Sequence, residues 1–223
     1  LTNGRQWAAV TAASLLFIAW VLLMGAPRSS LATVVPRGGL VVVDAGHGGP
    51  DPGAVAATGA EEQAVNLAVA KQVARELMAR GVATRLTRYQ DAATTGRGPK
   101  QDLEARASYA NHWGATLLVS IHVNTEPTGT VEGPIVYYRA GSALSLLLAE
   151  DIESALARAS GRPHPPRPAH HRLLLRANMP AVTVELGFFS ASAEMHRLLT
   201  PAWQARLAQA ITAGVLKYLN RGA

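Results

Sequence analysis

From residue 40 onward, short apolar runs alternate with longer stretches whose apolar positions recur every three or four residues. Residues 40–44 (LVVVD) form a continuous apolar run, the type buried on both faces of a parallel sheet. Over 61–80, Val65, Val69, Val73 and Leu77 make one row and Gly81 stops it, which predicts a helix. A second strand is predicted at 82–87, a second helix at 101–114 and a third strand at 115–124. Residues 133–138 predict a fourth strand, placed at a sheet edge because Pro134 interrupts its ladder. A helix over 141–159, a loop over 161–171 (GRPHPPRPAHH), a fifth strand over 180–190 and an amphipathic helix over 202–220 complete the pattern. Strands alternating with helices predict an α/β fold: a mostly parallel twisted sheet with helices on both faces. There is no internal repeat.

The amino-terminal pattern is different. Residues 7–24 (WAAVTAASLLFIAWVLLM) carry no charge and no polar face. As a helix they would span roughly 27 Å, close to a bilayer core of about 30 Å. Arg5 precedes the run and Arg28 follows it, so charge does not set an orientation. Ser30-Leu31-Ala32 loosely resembles a signal-peptidase site, but the run is longer than a usual signal core. An uncleaved transmembrane anchor is the favoured reading and a cleaved signal the alternative. Residues 25–39 are rich in Pro, Gly and Ser and read as a linker. The chain therefore divides into an anchor or signal segment with its linker, 1–38, and a folded domain, 39–223, on the extracytoplasmic side.

Composition narrows the partners. The chain has 223 residues, 48 % hydrophobic and 16 % charged, which excludes a disordered polymer. Its formal net charge is +6, yet aromatics are only 5 % and no Lys/Arg-rich run appears. That argues against nucleic acid and for an anionic polymer or membrane surface, with a merely solvated basic face as the plainer alternative. There is no cysteine, so any metal must be held by histidines and carboxylates.

Three apolar runs end in ionisable residues: the first leads to His47, LLVSIH leads to His122 and AVTVE leads to Glu185. Parallel strands put their carboxyl ends on one rim, where ligands bind in open α/β sheets. These three side chains are therefore expected to meet. Glu61 and Glu62 stand in the first turn of the first helix, where the macrodipole alone favours acids. The short glycine-rich loop 46–59 also brings that turn back beside His47. Two histidines and a carboxylate with an open position make a hydrolytic zinc site, and a further carboxylate is then needed to move protons. The glycines after Asp44 leave room for a bulky substrate, and Asp44 is placed to hold their turn.

The motifs DAGHGGPDPGA, EEQAVNL, SIHVN and VELGFFS appear in order. On these motifs residues 40–219 resemble the zinc-dependent N-acetylmuramoyl-L-alanine amidases, the peptidoglycan amidase family. The resemblance implies one zinc ion per chain, held by His47, Glu62 and His122, with Glu185 as catalytic acid/base. It selects Glu62 over Glu61. It also implies hydrolysis of the amide joining the lactyl group of muramic acid to L-alanine of the stem peptide. The alternatives are a non-catalytic wall-binding protein on the same fold and a zinc peptidase cutting within the stem peptide.

Only 62 residues lie between His122 and Glu185, too few for the zinc-blocking helical insertion of cell-division members. A membrane segment with a bare catalytic domain most resembles the germination-specific, spore-cortex subgroup, which acts in making muramic δ-lactam. A need for an activating protein partner is left open. Asn66 and Asn124 are expected to orient ligands or substrate. Arg106 matches a frequent family arginine and is read as pairing with a Glu or a substrate carboxylate, or else as an exposed helix arginine. Arg172 and Arg176 are expected to contact carboxylates of the peptide. His112 and His196 read as ordinary helix histidines, and His164, His170 and His171 as solvated loop residues in preference to a second metal site.

Overall fold

The structure, a computed structural model, describes residues 39–95 and 98–222. The anchor or signal predicted at 7–24 lies outside the described residues. Among them no helix is long and apolar enough to cross a membrane.

Six strands form one sheet: β1 (Leu40–Ala45), β2 (Ala83–Leu86), β3 (Ala115–Asn124), β4 (Ile135–Arg139), β5 (Arg167–Ala169) and β6 (Ala181–Phe188). The helices are α1 (Glu62–Ala79), α2 (Pro99–His112), α3 (Ala143–Ser160), α4 (Arg172–Arg176), α5 (Ser192–Leu198) and α6 (Pro201–Leu219), with a final 3-10 turn at Asn220–Gly222. Strand order is β2-β1-β3-β6-β4-β5. All neighbours are parallel except β4 and β6, so the expected mostly parallel sheet is present.

Alternation along the strands explains the two layers. Val41, Val43, Leu117, Val119, Ile121, Val182 and Val184 face one core, filled from above by Val69, Val73 and Leu77 of α1, Leu148 and Ile152 of α3, and Ile211 and Val215 of α6. Each fully buried aliphatic side chain of this kind contributes about 1.5–3 kcal/mol. Val42, Leu118 and Ala181 face the other side and pack on Ala107 and Ala110 of α2 and Leu173 and Leu174 of α4. Helices therefore cover both faces, but the second face has the thinner cover.

Two expectations are corrected. β4 is not an edge strand: it lies between β6, antiparallel to it, and β5, parallel to it. Pro134 stands just before the first strand residue, so its missing N–H is not needed by the ladder. The segment 161–171 is not all loop either. It supplies β5 at the true edge, where Pro168 is tolerated. The helices α4 and α5, of five and seven residues, had no prediction, because so short a run holds barely one or two turns of periodicity.

β1 connects to β2 on one side and the chain then crosses to β3 on the other. The carboxyl ends of β1 and β3 thus flank a switch point, where a crevice opens. β6 lies next to β3. The three strands expected to carry chemistry are consecutive in the sheet.

Candidate metal centre

His47 follows β1 after a single glycine and adopts φ 59°, in the left-handed region a non-glycine residue seldom visits. Bonds from both sides enforce it. Its carbonyl accepts from Arg106 Nη2 at 2.6 Å, and its Nδ1 lies 2.9 Å from Asp51 Oδ2. That contact leaves Nε2 facing Glu62 Oε1 at 3.3 Å. His122 comes from β3, and its Nδ1 lies 3.0 Å from the same Glu62 oxygen. The two rings meet edge-on with centroids 5.0 Å apart.

Glu62 begins α1 and is buried, whereas Glu61 is exposed. Glu62 Oε1 accepts from the Val123 amide and from Asn66 Nδ2, each at 3.0 Å, and Oε2 accepts from the Ala54 amide at 2.9 Å. The carboxylate is thereby fixed from three chain segments. Burial would raise its pKa, but hydrogen bonds and charge from His122 and His47 hold it far below the usual carboxylate range. Burial would also lower His47, yet Glu62, and after it Asp51, push it up to about 9. One carboxylate shared by two imidazoles is standing where a cation would satisfy all three.

Donor atoms of His47, Glu62 and His122 all lie within 4.8 Å of one another, the only such group of three among the described residues. Two imidazole nitrogens and a carboxylate oxygen are a donor set suited to zinc. The backbone has made room for them. A Cβ on Gly46 would fall 2.3 Å from the His122 ring. At Gly53, where φ is +67°, it would fall 2.6 Å from Glu62 Oε2 and 2.7 Å from the His47 ring.

Glu185 pairs with His122 across the β3–β6 ladder, so both side chains project on the same face. Its Oε2 is sealed from solvent and, among the described residues, has no hydrogen-bond partner. Burial pushes this carboxyl up to about 7, the Glu62 charge acts in the same direction, and His122 and His47 oppose.

Beneath the donors lies a polar layer. Asp44 is fully buried and accepts from Ser120 Oγ and Thr87 Oγ1, each at 2.6 Å, and from Arg106 Nη1 at 3.0 Å. Arg106 also donates to the Ala45 carbonyl. It is buried and its partners are these groups, neither a glutamate nor solvent. Arg88 is buried too. It donates to the carbonyls of Ala45 and Gly46 at 2.9 Å and of Gln63 at 2.7 Å. Two guanidinium groups therefore clamp the turn that delivers His47. Sequence reasoning missed Arg88 and Asp51. Their signals were an arginine directly after the strand beside β1 and an acid four residues past His47 in the same turn.

The remaining expected residues divide. Asn66 joins the cluster, donating to both Glu62 and the Gly46 carbonyl. Asn124 instead closes a local turn, its Oδ1 accepting from the Thr125 amide at 2.8 Å. Arg172 is exposed and paired with Glu104 at 2.7 Å. With His170, Leu175 and Arg176 it lines a shallow depression of about 430 Å³. His112, His170 and His196 are exposed, and His164 bonds to the Glu132 carbonyl at 2.8 Å.

The family profile described as N-acetylmuramoyl-L-alanine amidase matches residues 41–217. The chain belongs to this family. The germination-specific N-acetylmuramoyl-L-alanine amidase of Bacillus subtilis is 32 % identical over 192 residues, covering 82 % of this chain and 81 % of that protein. The CwlD amidase of Clostridioides difficile, solved in complex with the GerS lipoprotein, superposes with a TM-score of 0.78 at 28 % identity, over 82 % of this chain and all of that one. The catalytic domain of CwlV from Bacillus (Paenibacillus) polymyxa gives 0.75 at 31 % identity, over 82 % of this chain and 99 % of that one. In this amidase family setting, the corner formed by His47, Glu62, His122 and Glu185 is the natural place to look for chemistry.

Proposed function

We propose that the chain is a zinc-dependent N-acetylmuramoyl-L-alanine amidase that hydrolyses the amide between the muramic acid lactyl group and L-alanine of the peptidoglycan stem peptide. The observation that carries the reading is the unpartnered, sealed oxygen of Glu185 beside a two-histidine, one-carboxylate donor set. A sealed carboxylate oxygen without a partner is costly to keep unless a reaction uses the group.

In this reading His47, Glu62 and His122 hold the ion. When bound, zinc polarises the amide carbonyl and lowers the pKa of a water to about 7. The protein does the rest. Asp51 accepts a hydrogen bond from His47 Nδ1–H and so leaves the Nε2 lone pair free for the centre. Asn66 and the Val123 amide aim Glu62 Oε1 between the two imidazoles. Glu185, with its carboxyl raised to about 7, takes a proton from the attacking water. It then passes that proton to the leaving alanine nitrogen. Residue roles, the division at residue 38, membrane attachment through 7–24 and action outside the cytoplasm all belong to this proposal. Likeness to a germination-specific amidase supports work on spore-cortex peptidoglycan, and likeness to CwlD, solved with GerS, supports a protein partner.

The test is metal analysis with muropeptide digestion. Wild type is expected to carry one zinc and release free stem peptides. Glu185→Ala should keep zinc and lose cleavage, whereas His47→Ala should lose both. Equal digestion by wild type and Glu185→Ala would remove the acid/base role. A first product with the mass of a peptide fragment, in place of the whole stem, would point to a peptidase.

A further inference from the structure

On the thinly covered face of the sheet, the row below Glu185 is Thr183, paired with Ser120 on β3 and Tyr137 on β4. His171 lies over this row. Its Nδ1 is 3.3 Å from Thr183 Oγ1, and its ring sits 5.1 Å from that of Tyr137 at 46°. The imidazole stands at the N-cap of α4 but makes no capping bond. The residue is exposed, and among the described residues no protein group bonds its second ring nitrogen. The ring is thus oriented by two neighbours, gives the helix nothing, and points a free nitrogen outward next to the site.

The direction of the reaction says what passes there. This step rests on the amidase reading. If Glu185 protonates the leaving nitrogen, the stem peptide must depart past Glu185. Thr183 is two strand residues along the same face, roughly 7 Å away. An extended peptide advances about 3.3–3.6 Å per residue. The peptide link just beyond L-alanine therefore reaches the neighbourhood of His171.

We propose that His171 is a stem-peptide-binding residue, whose free ring nitrogen hydrogen-bonds the first peptide link beyond L-alanine. The ligand class is a peptide amide on the leaving-group side of the scissile bond. The residue does not act on the reacting atoms, and it is not a metal ligand.

The experiment uses the zinc-loaded full chain and two substrates, N-acetylmuramoyl-L-alanine and N-acetylmuramoyl-L-alanyl-D-isoglutamine. His171→Ala should raise KM for the dipeptide substrate about threefold to tenfold, the worth of one neutral hydrogen bond, with kcat nearly unchanged. It should leave KM for the single-residue substrate as in wild type. His171→Gln, which keeps a donor and an acceptor, should recover most of the loss. Zinc content should match wild type throughout. An unchanged KM for the dipeptide substrate overturns the inference. So does an equal penalty on both substrates, which is the mark of a merely structural residue. Cleavage of neither substrate by wild type would overturn the amidase reading itself, and this inference with it.

Discussion

Arg106 and Asp44 form an ion pair at 3.0 Å with both side chains sealed from solvent, and the same guanidinium donates to the carbonyls of Ala45 and His47. The pair joins the end of β1 to α2 and fixes the turn after β1 that carries His47. Removing one partner strands a buried charge, which costs about 3–5 kcal/mol. Arg106→Met is therefore expected to lower unfolding stability by that amount in urea titrations, and to weaken zinc binding because the His47 turn loosens. Arg106→Lys should recover little, since an ammonium cannot span the carboxylate and two carbonyls. A methionine variant as stable as wild type would show that the pair does not support the turn.

Asp51 is a separate case, because it holds a ring and not the backbone. Its carboxylate is one-third exposed and meets His47 Nδ1 at 2.9 Å. Such partners fix the tautomer and ring angle of a ligand, and losing one weakens metal affinity about 10–100-fold. Asp51→Ala is expected to do this in a chelator competition while the unfolding midpoint barely moves. Asp51→Asn, whose amide oxygen can still accept the hydrogen bond, should lose less. Equal affinity in all three proteins would leave the Asp51 contact without a role at the centre.

Much of this arrangement was legible before any coordinates. The runs ending at His47, His122 and Glu185 mark three parallel strands, and these prove to be neighbours around the switch point. Local pattern could not say which of Glu61 and Glu62 turns inward, since both satisfy a helix amino terminus equally well. The choice came from a motif, and the buried member is Glu62. Arg88 and Arg106 were harder to read. Their significance lies in carbonyls more than forty residues away, and no periodicity encodes that. β4 went astray for a related reason: a proline argues against a central strand only if its nitrogen falls inside the ladder, a matter of one residue.

Glycine spacing in the loop yields a test of sterics against backbone freedom. Gly46 has an ordinary φ, but an added Cβ would lie 2.3–2.7 Å from three atoms of the His122 ring. Gly59 has φ +83°, and among the described residues an added Cβ would meet nothing within 4 Å. Gly59→Ala is expected to lose about 1–2 kcal/mol of stability, the backbone penalty for a left-handed residue, and to bind zinc as wild type does. Gly46→Ala should do the reverse, turning His122 away and losing zinc with a smaller change in stability. Calorimetry and metal analysis on both variants separate the effects. Normal zinc content in Gly46→Ala would mean that the ring can shift without leaving the centre.

Acid sensitivity should have a source outside the centre. Asp102, in the first turn of α2, is buried and accepts from the amides of Thr94 at 3.0 Å and Thr95 at 2.8 Å, and from the Thr95 hydroxyl. Burial would raise its carboxyl, but these bonds and the Arg106 charge outweigh it and hold the pKa below the ordinary 3.8. A folded-state value below the unfolded one means that the folded protein binds fewer protons in between. The stabilisation is thus complete above the unfolded value and drains away as pH falls through the folded one. Asp102→Asn should cost about 1.5–3 kcal/mol at neutral pH, as charge-assisted bonds do, and should flatten the loss of stability below about pH 4. Urea midpoints of both proteins across that range are the measurement. Parallel curves for the two proteins would assign the acid limb to other carboxylates.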